Sequence, residues 1–201
     1  MNATPFDLVV FDFDGTLVQS ADGKRRAFFD IFPARCAPAV EAVLARDPDG
    51  SRHAVIPAMI AEAQARGINV DGLDQYALVE AFAAQVAISV ASAPEVPHAL
   101  DALRVAGRNA AVYIFSMTPH DELVSQIKRR GWSAIVREAW GFPNRKAEVL
   151  SMLMARHECR RERALVVGDG ISDEAAAREN GCRFLHAGPQ WPHKLIGEFQ
   201  P

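Results

Sequence analysis

Residues 7–17, Asp-Leu-Val-Val-Phe-Asp-Phe-Asp-Gly-Thr-Leu, carry an apolar run into two carboxylates, Asp12 and Asp14, and a glycine turn. Strand side chains alternate with period two, so a strand reaching this far turns Asp12 and Asp14 to one side and Phe11 and Phe13 to the other. Two like charges this close repel unless a cation or a shared proton relieves them. The pair therefore points to cation binding or proton transfer. A strand running into an ordinary Asp-Gly turn accounts for Asp14 and Gly15 but leaves Asp12 unexplained.

Three later segments carry further reactive side chains. Ser116 closes an apolar run at 110–116, Lys146 opens a helical stretch at 146–154, and the run ending Val-Val-Gly-Asp-Gly-Ile-Ser-Asp (166–173) supplies Asp169 and Asp173. A single Gly-Asp turn says little. Four segments in this order, three of them at the ends of apolar runs, resemble the haloacid dehalogenase superfamily, and the resemblance spans residues 12–173.

That resemblance implies phosphoryl transfer. Asp12 would be the nucleophile that forms an aspartyl-phosphate. Asp14 would protonate the departing alcohol and later activate water. Mg2+ would be held by Asp12, Asp169 and the main-chain oxygen of Asp14, because oxygen-only ligands suit this ion. Asp173 would support the metal, or complement the dipole of a helix capped by Ser172. Ser116 and Lys146 would bind the phosphoryl oxygens, helped by the N–H of Met117, and Gly15 would let the backbone approach the phosphate. The Gly-Phe-Pro-Asn-Arg loop (141–145) before Lys146 resembles that of phosphoglycolate-phosphatase-like members. Thr16 is expected to serve the Asp-Gly turn, and Thr118 to cap a helix with Pro119 at its first position. His120 is read as structural or solvated.

The expected function is a Mg-dependent phosphatase acting on a small phosphorylated metabolite, a phosphomonoester. Asp14 disfavours dehalogenation, which has no alcohol to protonate. A phosphomutase or phosphotransferase is the alternative, although many such relatives carry valine where this chain has Thr16. A non-catalytic protein that binds a phosphorylated ligand is a third reading.

The elements that must position these residues follow from apolar periodicity. Strands are expected near 6–12, 110–116, 134–137, 164–168 and 183–187, with helices at 97–106, 119–130, 145–158 and 172–180. This alternation predicts an α/β fold, a Rossmann-like parallel sheet with helices on both faces, whose ligands collect at the carboxyl ends of the strands. The first two strands are too far apart for an ordinary connection. Helical patterns at 22–32, 37–46, 52–66 and 73–92, punctuated by Pro33, Pro38, Asp-Pro-Asp-Gly (47–50) and Gly67, fill the interval. The expected domains are an α/β core (1–18 and 95–201) and an inserted all-helical cap (19–94), resembling the caps of many superfamily phosphatases. Phe28, Phe29 and Phe32 would form the cap's own core. The basic run Lys24, Arg25 and Arg26 is either a solvated helix face or a contact for a second anionic group on the substrate.

Composition narrows the rest. With 201 residues, 49% hydrophobic and 23% charged, the chain reads as a globular protein, and a net charge of −3 gives no case for nucleic acid or an anionic membrane. Cys36, Cys159 and Cys182 are scattered and form no Cys-x-x-Cys pair, so neither a disulfide framework nor a zinc site is indicated. The N-terminus lacks a signal-peptide pattern, and the alanine-rich stretch 77–93 is too short and polar to span a bilayer. The expectation is a cytoplasmic enzyme, monomeric or homodimeric.

Overall fold

The first strand, Leu-Val-Val-Phe, is apolar at every position and buried at every position. Such a run suits the middle of a parallel sheet covered on both faces, where no side of the strand meets water. The computed structural model describes residues 5–48 and 50–200, so Asp49 of the 47–50 turn lies outside the described residues.

In chain order the elements are β1 (Leu8–Phe11), then α1 (Ala21–Ile31), α2 (Ala37–Arg46), α3 (Arg52–Ala65) and α4 (Gln75–Ser92). There follow α5 (Ala99–Asn109), β2 (Ala111–Pro119), α6 (His120–Arg129), β3 (Glu138–Phe142) and α7 (Lys146–Arg156). The chain closes with β4 (Ala164–Gly168), α8 (Ile171–Asn180), β5 (Arg183–His186) and α9 (Trp191–Glu198). It forms two compact units: residues up to Gln19 together with Pro94 onward, and Ser20–Ala93.

In the first unit the strands lie in the order β3-β2-β1-β4-β5, all parallel. From β1 the chain builds outward through β2 and β3, then returns to the other side of β1 for β4 and β5. The order thus reverses beside β1, which places a crevice at its carboxyl end. Period-two alternation sorts the side chains. Leu8, Val10, Tyr113, Phe115 and Val166 share a core with Val149, Leu150 and Leu153 of α7 and Ala176 and Ala177 of α8. On the other face Phe11 meets Trp191 of α9 with ring centroids 5.8 Å apart, and α5 packs on α9 through its buried stripe. At the start of the sheet the Arg163 guanidinium donates two hydrogen bonds to Asp7, at 2.6 and 2.7 Å. The Asp7 N–H donates to the Arg163 carbonyl at 2.9 Å, and the Asp7 carbonyl accepts from Ala111 at 2.8 Å.

Three details depart from expectation. The third strand is 138–142, not 134–137: Trp132–Ala134 form a 3-10 turn, and Trp132 and Val136 fill the core from that bend. β3 is an edge strand with only one buried position, so it lacks the continuous apolar run that marks a central strand. β2 continues past Ser116 to Pro119, with a register shift between Phe115 and Pro119. Helix α9, which the apolar pattern did not suggest, is short and starts with a proline in its first turn.

The second unit, Ser20–Ala93, is all helical among its described residues, with α1 packed on α4, α2 on α3, and α3 on α4. Phe28 stacks on Phe82 at 4.1 Å and Phe32 is buried, whereas Phe29 is half-buried with the Arg25 guanidinium 5.7 Å from its ring. Within the basic run, Arg25 is engaged by Glu41 at 2.6 and 2.7 Å. No helix of the described residues is long and apolar enough to cross a membrane.

Candidate active site

Asp12 extends the ladder one residue past β1: its N–H donates to the Val167 carbonyl of β4 at 2.8 Å. The sheet itself therefore sets the height of the Asp12 side chain, which is buried. The backbone then turns sharply. Gly15 takes φ +78°, its N–H donates to the Val18 carbonyl at 2.8 Å, and Leu17 and Val18 donate back to Phe13 at 2.9 and 3.1 Å. A Cβ on Gly15 would run into the carboxylate of Asp169. Glycine is thus required twice, for the left-handed backbone and for room beside Asp169.

Asp169 leaves the end of β4 one residue beyond the level of Asp12, because β1 and β4 pair Phe11 with Val167. Thr16 donates to its Oδ1 at 3.2 Å, so the threonine serves Asp169 rather than the turn that precedes it. Asp173 lies in the first turn of α8. One carboxylate oxygen accepts from the Gly170 N–H at 3.1 Å and the other from Lys146. The helix N-cap is therefore Gly170, not Ser172, because the Asp173 side chain folds back to satisfy the exposed N–H. A Cβ on Gly168 would collide with that same carboxylate.

Lys146, the first residue of α7, is buried, and its Nζ donates to Asp12 Oδ1 at 2.7 Å and to Asp173 Oδ1 at 2.6 Å. One ammonium thus clamps groups that lie 134 and 27 residues away in sequence. It uses two of its three N–H donors in doing so. Ser116 sits on β2 two residues beyond the level of Phe11, and its hydroxyl donates to Asp14 Oδ2 at 3.1 Å. Thr118 donates to the same oxygen at 2.6 Å, and its N–H donates to Ser116 Oγ at 3.0 Å. The reading of Thr118 as a helix cap is therefore corrected: α6 starts at His120 with Pro119 at the N-cap, and the buried Thr118 hydroxyl turns inward to Asp14. Met117 between them is partly exposed. The Nδ1 of His120 accepts from the Gly141 N–H at 3.5 Å.

Electrostatics follow from this crowding. Burial lifts Asp12 well above the usual carboxylate range, with Asp173 and Asp14 adding to the rise and Lys146 opposing it. Asp173 is also raised, chiefly by burial, against the pull of Lys146. Burial and the charge of Asp12 push Asp169 up to about 6, with the Thr16 hydrogen bond acting the other way. Burial works against the Lys146 charge, but Asp12 and Asp173 outweigh it and hold the ammonium above the usual lysine range. One firm positive charge thus faces three carboxylates. Asp12, Asp169 and Asp173 each offer an oxygen, all within 4.8 Å of one another. An oxygen-only donor set with surplus negative charge, kept open by two glycines, fits a hard divalent cation.

No curated protein sequence matches the chain. Among solved structures, a haloacid dehalogenase-like family hydrolase from Streptococcus pneumoniae is similar at 22% identity, TM-score 0.64, over 98% of this chain and 92% of that one. A predicted phosphoglycolate phosphatase from Haemophilus somnus aligns at 16% identity, TM-score 0.72, over 91% and 85%. CbbY from Rhodobacter sphaeroides, in complex with phosphate, aligns at 17% identity, TM-score 0.64, over 89% and 84%. These likenesses establish the fold. The family profile of haloacid dehalogenase-like hydrolases matches residues 6–181, a stretch that takes in every reactive side chain from Asp12 to Asp173, and the chain belongs to that family.

Proposed function

We propose that the protein is a magnesium-dependent phosphatase that hydrolyses a small phosphomonoester through an aspartyl-phosphate on Asp12. The observation that carries this reading is the convergence of Asp12, Asp169 and Asp173, with ligand oxygens within 4.8 Å, around the crevice end of β1 and β4. The names of two structural neighbours, a predicted phosphoglycolate phosphatase and a protein bound to phosphate, point the same way.

Asp12 attacks phosphorus as the ester oxygen departs, and Asp14 gives that oxygen a proton. In the second half, Asp14 takes a proton from water as the water oxygen attacks phosphorus and the Asp12–phosphorus bond breaks. Lys146 opposes the effect of burial on Asp12 and orients its carboxylate, and its remaining N–H is the donor for a phosphoryl oxygen. Ser116 and the Met117 N–H are further donors to the same group. Mg2+, held by Asp12, Asp169 and the main-chain oxygen of Asp14 with Asp173 in support, supplies the positive charge that offsets the carboxylates and the phosphoryl oxygens. Three free cysteines fit the reducing, cytoplasmic setting proposed for such an enzyme.

The test is phosphate release from a panel of phosphorylated metabolites and from p-nitrophenyl phosphate, with Mg2+ and with EDTA. The expected result is turnover with Mg2+, loss with EDTA, and a fall of about 10^4-fold or more in Asp12→Asn. Turnover that survives Asp12→Asn undiminished would refute the nucleophile, and no release from any ester would refute the phosphatase.

A further inference from the structure

Building on the phosphatase reading, we infer that Thr118 is the positioning residue that holds Asp14 for proton transfer while substrate is bound. Two hydroxyls meet Asp14 Oδ2, from Thr118 at 2.6 Å and from Ser116 at 3.1 Å. Each hydroxyl has a single proton to donate. Ser116 cannot hold Asp14 and bind a phosphoryl oxygen at once, so in the loaded site its proton goes to phosphate and its hold on Asp14 ends. The one hydroxyl proton of Thr118 goes to Asp14. Thr118 is buried, makes the shorter contact, and also fixes Ser116 by donating its own N–H to Ser116 Oγ at 3.0 Å. The two hydroxyls of one strand therefore divide the work: Ser116 for the phosphoryl group, Thr118 for the acid.

Both proton steps run through the carboxyl that Thr118 holds. In the first, the proton leaves Asp14 for the ester oxygen as the P–O bond breaks and the Asp12–phosphorus bond forms. In the second, the proton returns to Asp14 from the attacking water. Acid assistance matters in proportion to the basicity of the leaving oxygen. An alkoxide needs the proton, whereas p-nitrophenolate leaves with little help.

The experiment compares kcat/KM of wild type, Thr118→Val and Thr118→Ser on p-nitrophenyl phosphate and on an alkyl phosphate. This ratio reports steps up to formation of the aspartyl-phosphate. Valine keeps the branched shape and removes the hydroxyl, and serine restores the hydroxyl. The expected result is a loss in Thr118→Val at least about tenfold larger on the alkyl ester than on the aryl ester, a part of the 10^2–10^4 that general acids contribute. Thr118→Ser should recover most of the difference. In Ser116→Ala the loss should fall on both esters alike and on the affinity for inorganic phosphate. An equal loss on both esters in Thr118→Val, or no rescue by serine, overturns the Thr118 assignment alone. A wild type that releases phosphate from neither ester overturns the phosphatase reading and this inference with it.

Discussion

Replacing Lys146 with methionine tests whether charge holds the acidic cluster together. Methionine approximates the lysine stem and lacks the ammonium, so the change deletes one positive charge with little loss of volume. Lys146 contacts Asp12 at 2.7 Å and Asp173 at 2.6 Å, and all three side chains are buried. Removing one partner of a buried ion pair costs about 3–5 kcal/mol. Protonation gives an independent bound. A carboxyl with an ordinary value of 3.8 can escape the burial penalty by binding a proton, at a cost of about 4 kcal/mol at pH 7 but only about 1.6 kcal/mol at pH 5. A carboxyl whose folded pKa is raised keeps its full contribution below 3.8 and loses it as pH climbs toward the folded value. The deficit of the variant must therefore grow with pH. Urea unfolding without divalent cation should show a deficit of about 3–5 kcal/mol at pH 7.5 and a smaller one at pH 5, where the buried carboxyls take up protons in wild type and variant alike. A deficit below about 1 kcal/mol at pH 7.5, or one equal at both values, would refute the reasoning.

Other consequences are testable in the same preparations. Gly15→Ala should cost about 1–3 kcal/mol, because alanine disfavours φ +78°, and calorimetry should register weaker Mg2+ binding as Asp169 is displaced. Mg2+ at about 100 times its dissociation constant should stabilise the folded chain by about 2.7 kcal/mol. Thermal melts should show a smaller Mg2+ effect at pH 5 than at pH 8, because protons compete for Asp12, whose pKa burial raises, and for Asp169, which titrates near 6; an effect independent of pH would argue against these ligands. In the helical unit, Phe28→Ala should cost about 3–5 kcal/mol by opening a cavity beside Phe82, read from the urea midpoint.

What the sequence made legible was whatever rests on a strong local pattern. The runs that became β1, β2 and β4 are continuous and apolar because those strands are buried, and each leads to an acid or a hydroxyl at its carboxyl end. β3 was misplaced because an edge strand needs one buried position, while the more apolar segment before it, around Trp132 and Val136, packs as a bend. Helix α9 is not legible because eight residues with a proline in the first turn carry little periodicity. The errors at the site share one cause. Thr16, Thr118 and Ser172 were assigned by local rules for turns and caps, but the first two bond to carboxylates 153 and 104 residues away, and Asp173 took over the task given to Ser172. Side chains that can satisfy either a neighbour or a distant acid are undecided until the fold brings the acid near. Only the serine two residues before Thr118 offered a hint, since period two puts both on one face of the strand.

The Asp7–Arg163 pairing bears on the site although it stands at the opposite, amino-terminal end of β1 and β4. Asp7 precedes Asp12 by five residues and Arg163 precedes Asp169 by six. A slip of one position between these two strands would displace one acid from the other by about 3.3 Å and turn alternate side chains to the wrong face. Two charged hydrogen bonds and a main-chain bond penalise that slip at its origin, much as a dowel indexes two rulers laid side by side. The spacing of the carboxylates is thereby gauged from a point no substrate touches, and a fault at that dowel would surface first as poor cation affinity.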